Sequence, residues 1–201
     1  TGLPRDWKAP ITDTSNWPRV VQIAWQLHDE MGQLIESKDF LIRPEGFDIP
    51  FDAESIHGIS TDLAAKYGET LEDVLFLFTN ALEKATFVVG QNVGFDINVV
   101  GCELIRTNIQ SKLASMPVLD TCTEVTATMC QLPGGRGGRF KLPTLSELYL
   151  HLFGESFAEA HNATADVEAT TRCFFELMRK GYFELNQLQN TDDYLQRFNT
   201  F

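Results

Sequence analysis

Two acidic residues, each beside a predicted helix start, are the first candidates for chemistry. Asp96 ends the segment Gly90-Gln91-Asn92-Val93-Gly94-Phe95-Asp96, where a short apolar run stops and a helix is expected to begin. Asp166 lies at the start of a long predicted helix, five residues after His161. Ligand sites of open α/β sheets lie at the carboxyl ends of strands, which favours a site at Asp96. The alternative is structural: Asp96 favours the helix dipole and Asn92 closes an Asx turn.

His161 must lie outside the helix if it is to share a site with Asp166. Within a helix, a spacing of five residues places two side chains about 140° apart. We therefore expect His161 on the loop that enters the helix, with Asn162 as the N-cap. The alternative is a surface histidine next to a helix whose first turn carries an acidic residue.

The elements that would position these residues alternate between strands and helices. Residues 20–27 and 34–43 are rich in β-formers and flank an Asp29–Gly32 turn, which predicts an antiparallel hairpin. Further strands are predicted at 86–90 and 117–120, and helices at 70–82, from 94, from a Thr144-Leu145-Ser146-Glu147 capping box, and at 163–179. A hairpin followed by such alternation predicts an α/β fold with a mixed sheet.

Composition and charge limit the classes of function. The chain has 201 residues, of which 43% are hydrophobic and 22% charged, which excludes collagen-like and wholly disordered chains. The net charge of −12 disfavours a broad basic surface that binds duplex nucleic acid. It does not disfavour a site that binds one end of a strand through bound metal ions. Four cysteines without a C-x-x-C pair are expected to be reduced thiols. Without a membrane-length apolar run or a signal core, we expect a cytoplasmic chain with no membrane contact.

Five short motifs in a fixed order resemble the DEDDh exonucleases of the DnaQ type, which include the proofreading ε subunit of bacterial DNA polymerase III, ribonuclease T and oligoribonuclease. They are the strand at 20–24, Ile56-His57-Gly58-Ile59, Asn92…Phe95-Asp96 with Asp120-Thr121, Thr144-Leu145-Ser146-Glu147-Leu148, and His161-x-Ala163-x-x-Asp166. The resemblance covers residues 1–180. It implies a ribonuclease H-like fold, with an antiparallel hairpin in a mixed sheet and helices on both faces. Residues 181–201 are expected to form a C-terminal helical extension.

The resemblance implies a divalent-metal-dependent 3′→5′ exonuclease that hydrolyses terminal phosphodiesters of single-stranded nucleic acid to 5′-mononucleotides. Asp96 and Asp166, with two further carboxylates, would bind two Mg²⁺ or Mn²⁺ ions, and His161 would be the general base. The implied substrate-binding residues are Thr1, Gly2, Leu3, His57, Asn92 and Phe95. For Leu3 and Phe95, core packing is an equal alternative. The family often has histidine at the position of Gln91, and this difference weakens the case for a substrate contact at Gln91.

The same resemblance favours a single-stranded DNA 3′ end as the substrate and suggests proofreading beside a DNA polymerase subunit. An RNA-processing exonuclease of the same family is an alternative. A second alternative is a catalytically inactive module that binds nucleic acid or protein.

One motif of the family is missing. The first motif, Asp-x-Glu-Thr-Thr-Gly-Leu, ends the central first strand, and Thr1-Gly2-Leu3 resembles only its tail. Asp52 and Glu54 are poor substitutes, because we expect them in a loop with no strand before them. We therefore expect the two missing carboxylates in residues that precede Thr1, and the identity of those residues distinguishes an enzyme from an inactive module.

Two further groups of residues have competing explanations. The three tryptophans are expected to be packing residues rather than a stacking platform, because only Trp25 lies in a regular element; the other two are Trp7 and Trp17. A local basic stretch either contacts phosphates or forms an exposed loop; it comprises Arg136, Arg139 and Lys141.

Overall fold

The computed structural model describes residues 2–157 and 162–183, and its elements follow the predicted alternation. The strands are β1 (Gln22–His28), β2 (Leu34–Leu41), β3 (Val88–Gly90) and β4 (Val118–Asp120). The helices are α1 (Phe51–His57), α2 (Thr61–Tyr67), α3 (Leu71–Lys84), α4 (Gly94–Thr107), α5 (Glu124–Cys130), α6 (Leu145–Phe153) and α7 (Ala163–Arg179). Short 3₁₀ turns lie at Leu113–Ser115 and Arg136–Gly138.

The strands pair in two ways. β1 and β2 form the predicted antiparallel hairpin, with Trp25 opposite Lys38, whereas β3 and β4 are parallel, with Val88 opposite Val118. The α/β class and both kinds of pairing are confirmed. Among the described residues, however, these strands form two separate two-stranded sheets rather than one mixed sheet, because no strand there joins β1 to β3.

The hairpin carries helices on both faces, as predicted. The Trp25 ring packs edge-on against Phe78 of α3, with 5.4 Å between the ring centroids. The neighbouring Gln26 accepts a hydrogen bond of 2.9 Å from the Thr171 hydroxyl of α7. Because successive strand residues point to opposite faces, α3 and α7 lie on opposite sides of β1.

Two helix starts follow their sequence signals. The Thr144 hydroxyl and the Glu147 carboxylate form the predicted capping box at α6. Asn162 is the N-cap of α7, and its side chain accepts a hydrogen bond of 3.0 Å from the Thr164 N–H. These caps fix where α6 and α7 begin, and their apolar faces then pack together through Leu148 and Leu177, which are fully buried.

Four further features bear on the sequence predictions. Asp52 and Glu54 lie on α1, not in a loop, because Pro50 precedes the first turn, both acids favour its dipole and Ala53 is buried. All four cysteines are free thiols, as expected. Residues 184–201 of the predicted extension fall outside the described part of the chain. No helix in the described ranges is long and apolar enough to cross a membrane.

A buried ion cluster joins α4 to the start of β1. The Glu103 side chain is 1% exposed and accepts hydrogen bonds from the Arg19 guanidinium and from the Val20 N–H, both at 2.9 Å. Arg106 lies 3.1 Å from the same carboxylate. The carboxylate thus neutralises two cations and satisfies a buried backbone donor.

We expect Glu103→Ala to lower the free energy of unfolding by ~3–5 kcal/mol, because it leaves Arg19 and Arg106 without a counter-ion in a buried site. Urea unfolding followed by circular dichroism measures this. Glu83→Ala is the matched control, because Glu83 pairs with Lys112 at the surface and should cost less than ~1 kcal/mol. Equal losses from the two variants would contradict the prediction.

Candidate functional site

A cavity of about 1750 Å³ separates the two half-sheets. Residues 20–28 line one side and residues 86–93 the other. Phe78 of α3 and Phe174 of α7 also line it, which encloses the gap between the layers of helices. The facing edges of β1 and β3 are therefore separated by space rather than by another strand.

Both facing strand edges carry backbone groups that have no hydrogen-bond partner among the described residues. The Ile42 N–H donates to the Val21 carbonyl, so the backbone groups of Val21 point toward β2. Because this direction alternates along an antiparallel strand, the backbone groups of Trp25 also point toward β2 and those of Ala24 point toward the cavity. In the parallel pair, the Val88 N–H donates to Pro117 and the Gly90 carbonyl accepts from Thr121, which directs Val89 toward the cavity. Each edge thus presents unused donors and acceptors.

Contacts with α7 give the relative direction of these edges. Three contacts join α7 to β1 in increasing sequence order: Ala163 with Gln22, Thr171 with Gln26, and Phe175 with His28. The helix therefore runs in the same direction as β1. Phe174 contacts Phe87, just before β3, whereas Asp166 acts on Asp96, just after it. Hence α7 runs opposite to β3, and β1 and β3 are antiparallel to each other.

Asp96 and Asp166 both face this cavity, although they come from different helices. Asp96 is exposed to solvent in the cavity, although protein atoms closely surround its carboxylate. Burial first, and the nearby charges of Asp120 and Asp166 to a smaller extent, raise the pKa of Asp96 to about 6. The structure therefore places the two carboxylates that the sequence singled out on one cavity, in a setting that disfavours the negative charge of Asp96.

This setting predicts a pH-dependent effect of Asp96→Asn on the metal-free protein. The folded protein holds the Asp96 proton up to about pH 6, above the unfolded value, so wild-type stability falls as pH rises from about 4 to about 6. The amide introduced by Asp96→Asn carries no charge, so the variant should be more stable than wild type at pH 8. Because solvent contact reduces the effect, we expect the free energy of unfolding to rise by ~1 kcal/mol, or the Tm by about 2–4 °C. At pH 4 the two proteins should melt together.

Thermal unfolding in EDTA at both pH values measures the difference, with Asp48→Asn as a control for the loss of one exposed charge. A Tm for Asp96→Asn below that of wild type at pH 8 would contradict the prediction.

Asp120, at the end of β4, holds the loop that leads to Asp96. Its carboxylate accepts hydrogen bonds from the N–H groups of Asn92, at 2.8 Å, and Val93, at 3.1 Å. Asn92 has a left-handed backbone, with φ of 56°, and Val93 gives α4 no side-chain cap. Asp120 therefore supplies the capping acceptor from a neighbouring strand. The sequence marked Asp120-Thr121 as a motif but did not reveal this role.

Gln91 has a structural role at the same edge. Its amide donates to the Pro143 carbonyl at 2.8 Å and accepts from the Thr121 hydroxyl. The side chain is thus engaged in joining β3 to the segment before α6.

His57 lines the cavity and ends α1. Its Nδ1 accepts a hydrogen bond of 3.1 Å from the Ile59 N–H, which assigns the proton of the neutral ring to Nε2. Nε2 is buried and has no hydrogen-bond partner in the described part of the chain. Burial lowers the pKa of His57, which favours this neutral donor form.

The remaining predicted substrate-binding residues have different surroundings. Leu3 is 74% exposed, so the core-packing alternative is wrong for it. Phe95 is partly buried, packs against the core and lines the cavity. Asn92 is exposed and Gly2 half-buried. Thr1 and His161 lie outside the described residues, so their predicted roles stay predictions.

The tryptophan prediction is confirmed for two residues and wrong for the third. Trp17 and Trp25 are buried in the core, but Trp7 is exposed and contacts Phe95. In the basic stretch, Arg139 pairs with Glu124 and Lys141 with Glu147. An exposed aromatic residue beside the site is thus a feature that sequence reasoning missed.

Asp96 and Asp166 suit hard divalent cations in part. Carboxylate oxygens are the ligands that Mg²⁺ and Mn²⁺ prefer, and both side chains face the same cavity. However, the described residues contain no group of three or more metal-ligating side chains that could hold an ion. The residues that the structure describes thus supply suitable ligand atoms but an incomplete set of ligands.

Comparison with known families identifies the class of protein. A family model described as exonuclease, RNase_T, matches residues 18–174. The chain therefore belongs to this exonuclease family, which confirms the resemblance to DnaQ-like 3′→5′ exonucleases and the ribonuclease H-like fold.

Solved structures provide similar folds. A structure of exonuclease I has a TM-score of 0.64 and 21% identity, and covers 90% of this chain. E. coli exonuclease I in complex with a dA16 oligonucleotide has the same TM-score at 20% identity, again with 90% of this chain covered. The chain spans only 39% of the length of these structures. A comparison with curated proteins found no match.

Proposed function

We propose that this chain is the catalytic domain of a divalent-metal-dependent 3′→5′ exonuclease that releases 5′-mononucleotides from single-stranded nucleic acid. The observation that carries the proposal is the presence of Asp96 and Asp166 on one cavity at the carboxyl end of β3. Membership of an exonuclease family supplies the reaction class.

Asp96 and Asp166 are the residues proposed to hold the metal ions. When bound, two Mg²⁺ or Mn²⁺ ions would supply an activated water and would stabilise charge on the attacking and leaving oxygens. Asp120 keeps Asp96 in place through the Asn92 and Val93 N–H groups. His161, which precedes α7 in the sequence, is proposed to accept the proton of the attacking water.

We further propose that a β-strand from residues preceding Thr1 fills the cavity and brings the two remaining carboxylates. A strand between β1 and β3 would meet the unused backbone groups of Ala24 and Val89. A strand parallel to β3 would be antiparallel to β1, and its carboxyl end would lie beside Asp96 and Asp166. Acidic residues at that end would join the two carboxylates already present.

The terminal nucleotide is proposed to lie against the residues around this cluster. Phe95 offers an aromatic face for a base. The unpaired Nε2–H of His57 offers a donor to a phosphate or hydroxyl oxygen. Thr1, Gly2, Leu3 and Asn92 complete the proposed contacts.

Cleavage of end-labelled single strands by the complete protein, with its preceding residues present, tests the function. With a 5′ label and Mg²⁺ or Mn²⁺, a ladder that shortens from the 3′ end is expected, and EDTA should stop it. With a 3′ label, the first product should be a labelled 5′-mononucleotide. An intact strand in all metal conditions would overturn the proposal.

DNA is the proposed substrate, because the family resemblance is strongest to ε-type domains and a structural neighbour binds a dA16 oligonucleotide. Matched DNA and RNA oligonucleotides should therefore be cleaved with DNA faster. A polymerase partner and proofreading are the finer form of the proposal and rest on the resemblance alone. Faster removal of a mismatched than of a paired 3′ nucleotide in a primer would support them.

A further inference from the structure

The fold holds one tryptophan at the surface beside the candidate site. Trp7 is 54% exposed, whereas Trp17 and Trp25 are 4% and 8% exposed. An indole ring buries a large apolar area when it is packed, so leaving it in water forgoes stabilisation that the other two tryptophans provide. An exposed ring at a fixed position therefore suggests a contact with a ligand.

The position of Trp7 is fixed by its own loop. Asn16, which is only 7% exposed, accepts from the Asp6 N–H at 2.7 Å and donates to the Asp6 carbonyl at 2.9 Å. Asp6 also accepts from the Lys8 N–H, at 2.9 Å, and from the Ala9 N–H, at 3.3 Å. Trp7 thus lies on a tight turn whose first residue, Asp6, is hydrogen-bonded to the buried side-chain amide of Asn16.

The far end of the same loop is anchored to the core. The Trp17 indole N–H donates to the Pro10 carbonyl at 3.2 Å. Arg106 of α4 donates to the carbonyls of Trp17, at 2.7 Å, and Thr14. The loop that presents Trp7 is therefore tied to the helix that also carries Asp96.

One side of the Trp7 ring is already placed against the site. Its centroid lies 5.5 Å from that of Phe95, and Phe95 directly precedes Asp96 in α4. The two rings together extend an aromatic surface from the cavity to the outside. Aromatic surfaces of this kind bind successive bases of a single strand without strong sequence preference.

The residues around Trp7 also differ in charge from the rest of this acidic chain. Arg5 and Lys8 flank it, and both are exposed. In the described ranges neither cation has a carboxylate partner, in contrast to Arg139 and Lys141. Free cations beside an exposed aromatic ring suit a base together with its phosphates.

We propose that Trp7 is a stacking contact for a base of single-stranded nucleic acid, adjacent to the nucleotide held at Phe95, with Arg5 and Lys8 facing the phosphates. This inference rests on the proposed function, because it places the 3′ end of the strand at Asp96 and Asp166. It adds a binding site that extends beyond the terminal nucleotide.

Equilibrium binding without metal tests the proposal on the same complete protein that is used in the cleavage assay. The probe is a single strand of about ten deoxythymidines, in EDTA, followed by anisotropy of a labelled strand and by tryptophan fluorescence. We expect Trp7→Ala to raise the Kd by about 5- to 100-fold and Trp7→Phe to raise it much less. Binding should quench wild-type fluorescence, because the other two tryptophans are buried, and the quenching should be lost in Trp7→Phe.

Two controls separate stacking from general effects. Tyr67→Ala removes another exposed aromatic ring, outside the cavity, and should leave the Kd unchanged. A strand with abasic sites should bind wild type and Trp7→Ala equally, because phosphate contacts remain and stacking is lost.

The outcomes also separate this inference from the proposed exonuclease activity. An unchanged Kd for Trp7→Ala, binding without quenching, or no binding by wild type would overturn the role of Trp7, whatever the cleavage assay shows. Trp7-dependent binding by a complete protein that cleaves no strand would support the stacking contact and overturn the exonuclease function instead.

Discussion

His161→Ala should lower the single-turnover cleavage rate of the complete protein by about 10²–10⁴-fold, the usual contribution of a positioned general base. The metal affinity should remain near that of wild type, because His161 in its proposed role as general base does not bind the metal ions. The loop position assigned to it, outside α7, also predicts that folding is nearly unaffected.

Asp166→Ala should behave differently from His161→Ala. It removes a carboxylate oxygen from a site for hard cations, so cleavage and metal affinity should disappear together. Metal titration by calorimetry alongside single-turnover cleavage separates the two variants. His151→Ala is the matched control, because His151 is an exposed histidine on α6 and should leave both quantities unchanged.

The pH profile provides an independent check of the base. Wild-type cleavage should fall as pH drops through a histidine pKa of about 6.5, because imidazolium cannot accept a proton. His161→Ala should lose this step from its profile, measured at saturating metal. Cleavage by His161→Ala near the wild-type rate would remove the base assignment and much of the case for the DEDDh subfamily.

Local signals in the sequence predicted most of the elements that position the site. The capping residues Thr144 and Asn162 marked the starts of α6 and α7, because a cap depends on a few neighbouring residues. α1 was missed because a helix of seven residues has too few turns to show a periodic apolar face.

The features that the sequence did not predict depend on contacts between distant segments. Asp120 holds the Asn92 loop from another strand, and only the parallel pairing of β3 with β4 brings them together. Trp7 and Phe95 are far apart in sequence, and the anchors at Asn16 and Arg106 set their contact. Spacing within one segment carries no information on such pairs.

The missing motif predicted a gap at the central strand, and the described residues leave a cavity between β1 and β3. The sequence could give neither the width of the gap nor the direction of its edges. Those follow from the contacts of α7 with β1 and with Phe87, which establish that β1 and β3 run in opposite directions.

Extending the chain before Thr1 by an apolar strand of about seven residues that ends in Asp-x-Glu-Thr should increase its exonuclease activity. The strand is expected to match β1 in length, with apolar side chains on both faces because α3 and α7 cover both. The first-motif carboxylates would then join Asp96 and Asp166. We expect the rate of metal-dependent cleavage to rise by on the order of 10³-fold or more. Each tenfold in rate corresponds to ~1.4 kcal/mol of activation free energy, and a bound metal ion supplies several kcal/mol of transition-state stabilisation.

The same extension should also stabilise the fold. Each buried apolar side chain contributes ~1.5–3 kcal/mol and each hydrogen bond ~0.5–1.5 kcal/mol, against ~1–2 kcal/mol of backbone entropy per ordered residue. The apolar burial and hydrogen bonds should outweigh the entropy, and each kcal/mol gained raises the Tm by about 2–4 °C for a chain of this size. Amide exchange should slow at Ala24 and Val89, whose N–H groups face the cavity, more than at Trp25 and Val88, whose N–H groups already face β2 and β4.

A matched extension ending in Asn-x-Gln-Thr separates the structural effect from the chemical one. It should raise the Tm and protect Ala24 and Val89 as the acidic strand does, because the backbone and apolar side chains are the same. It should not restore cleavage, because amide side chains are poor replacements for metal-binding carboxylates. If the acidic extension leaves the Tm and both amides unchanged, the cavity does not hold a strand. If it stabilises the domain without restoring cleavage, the strand belongs there but the carboxylate site is wrong.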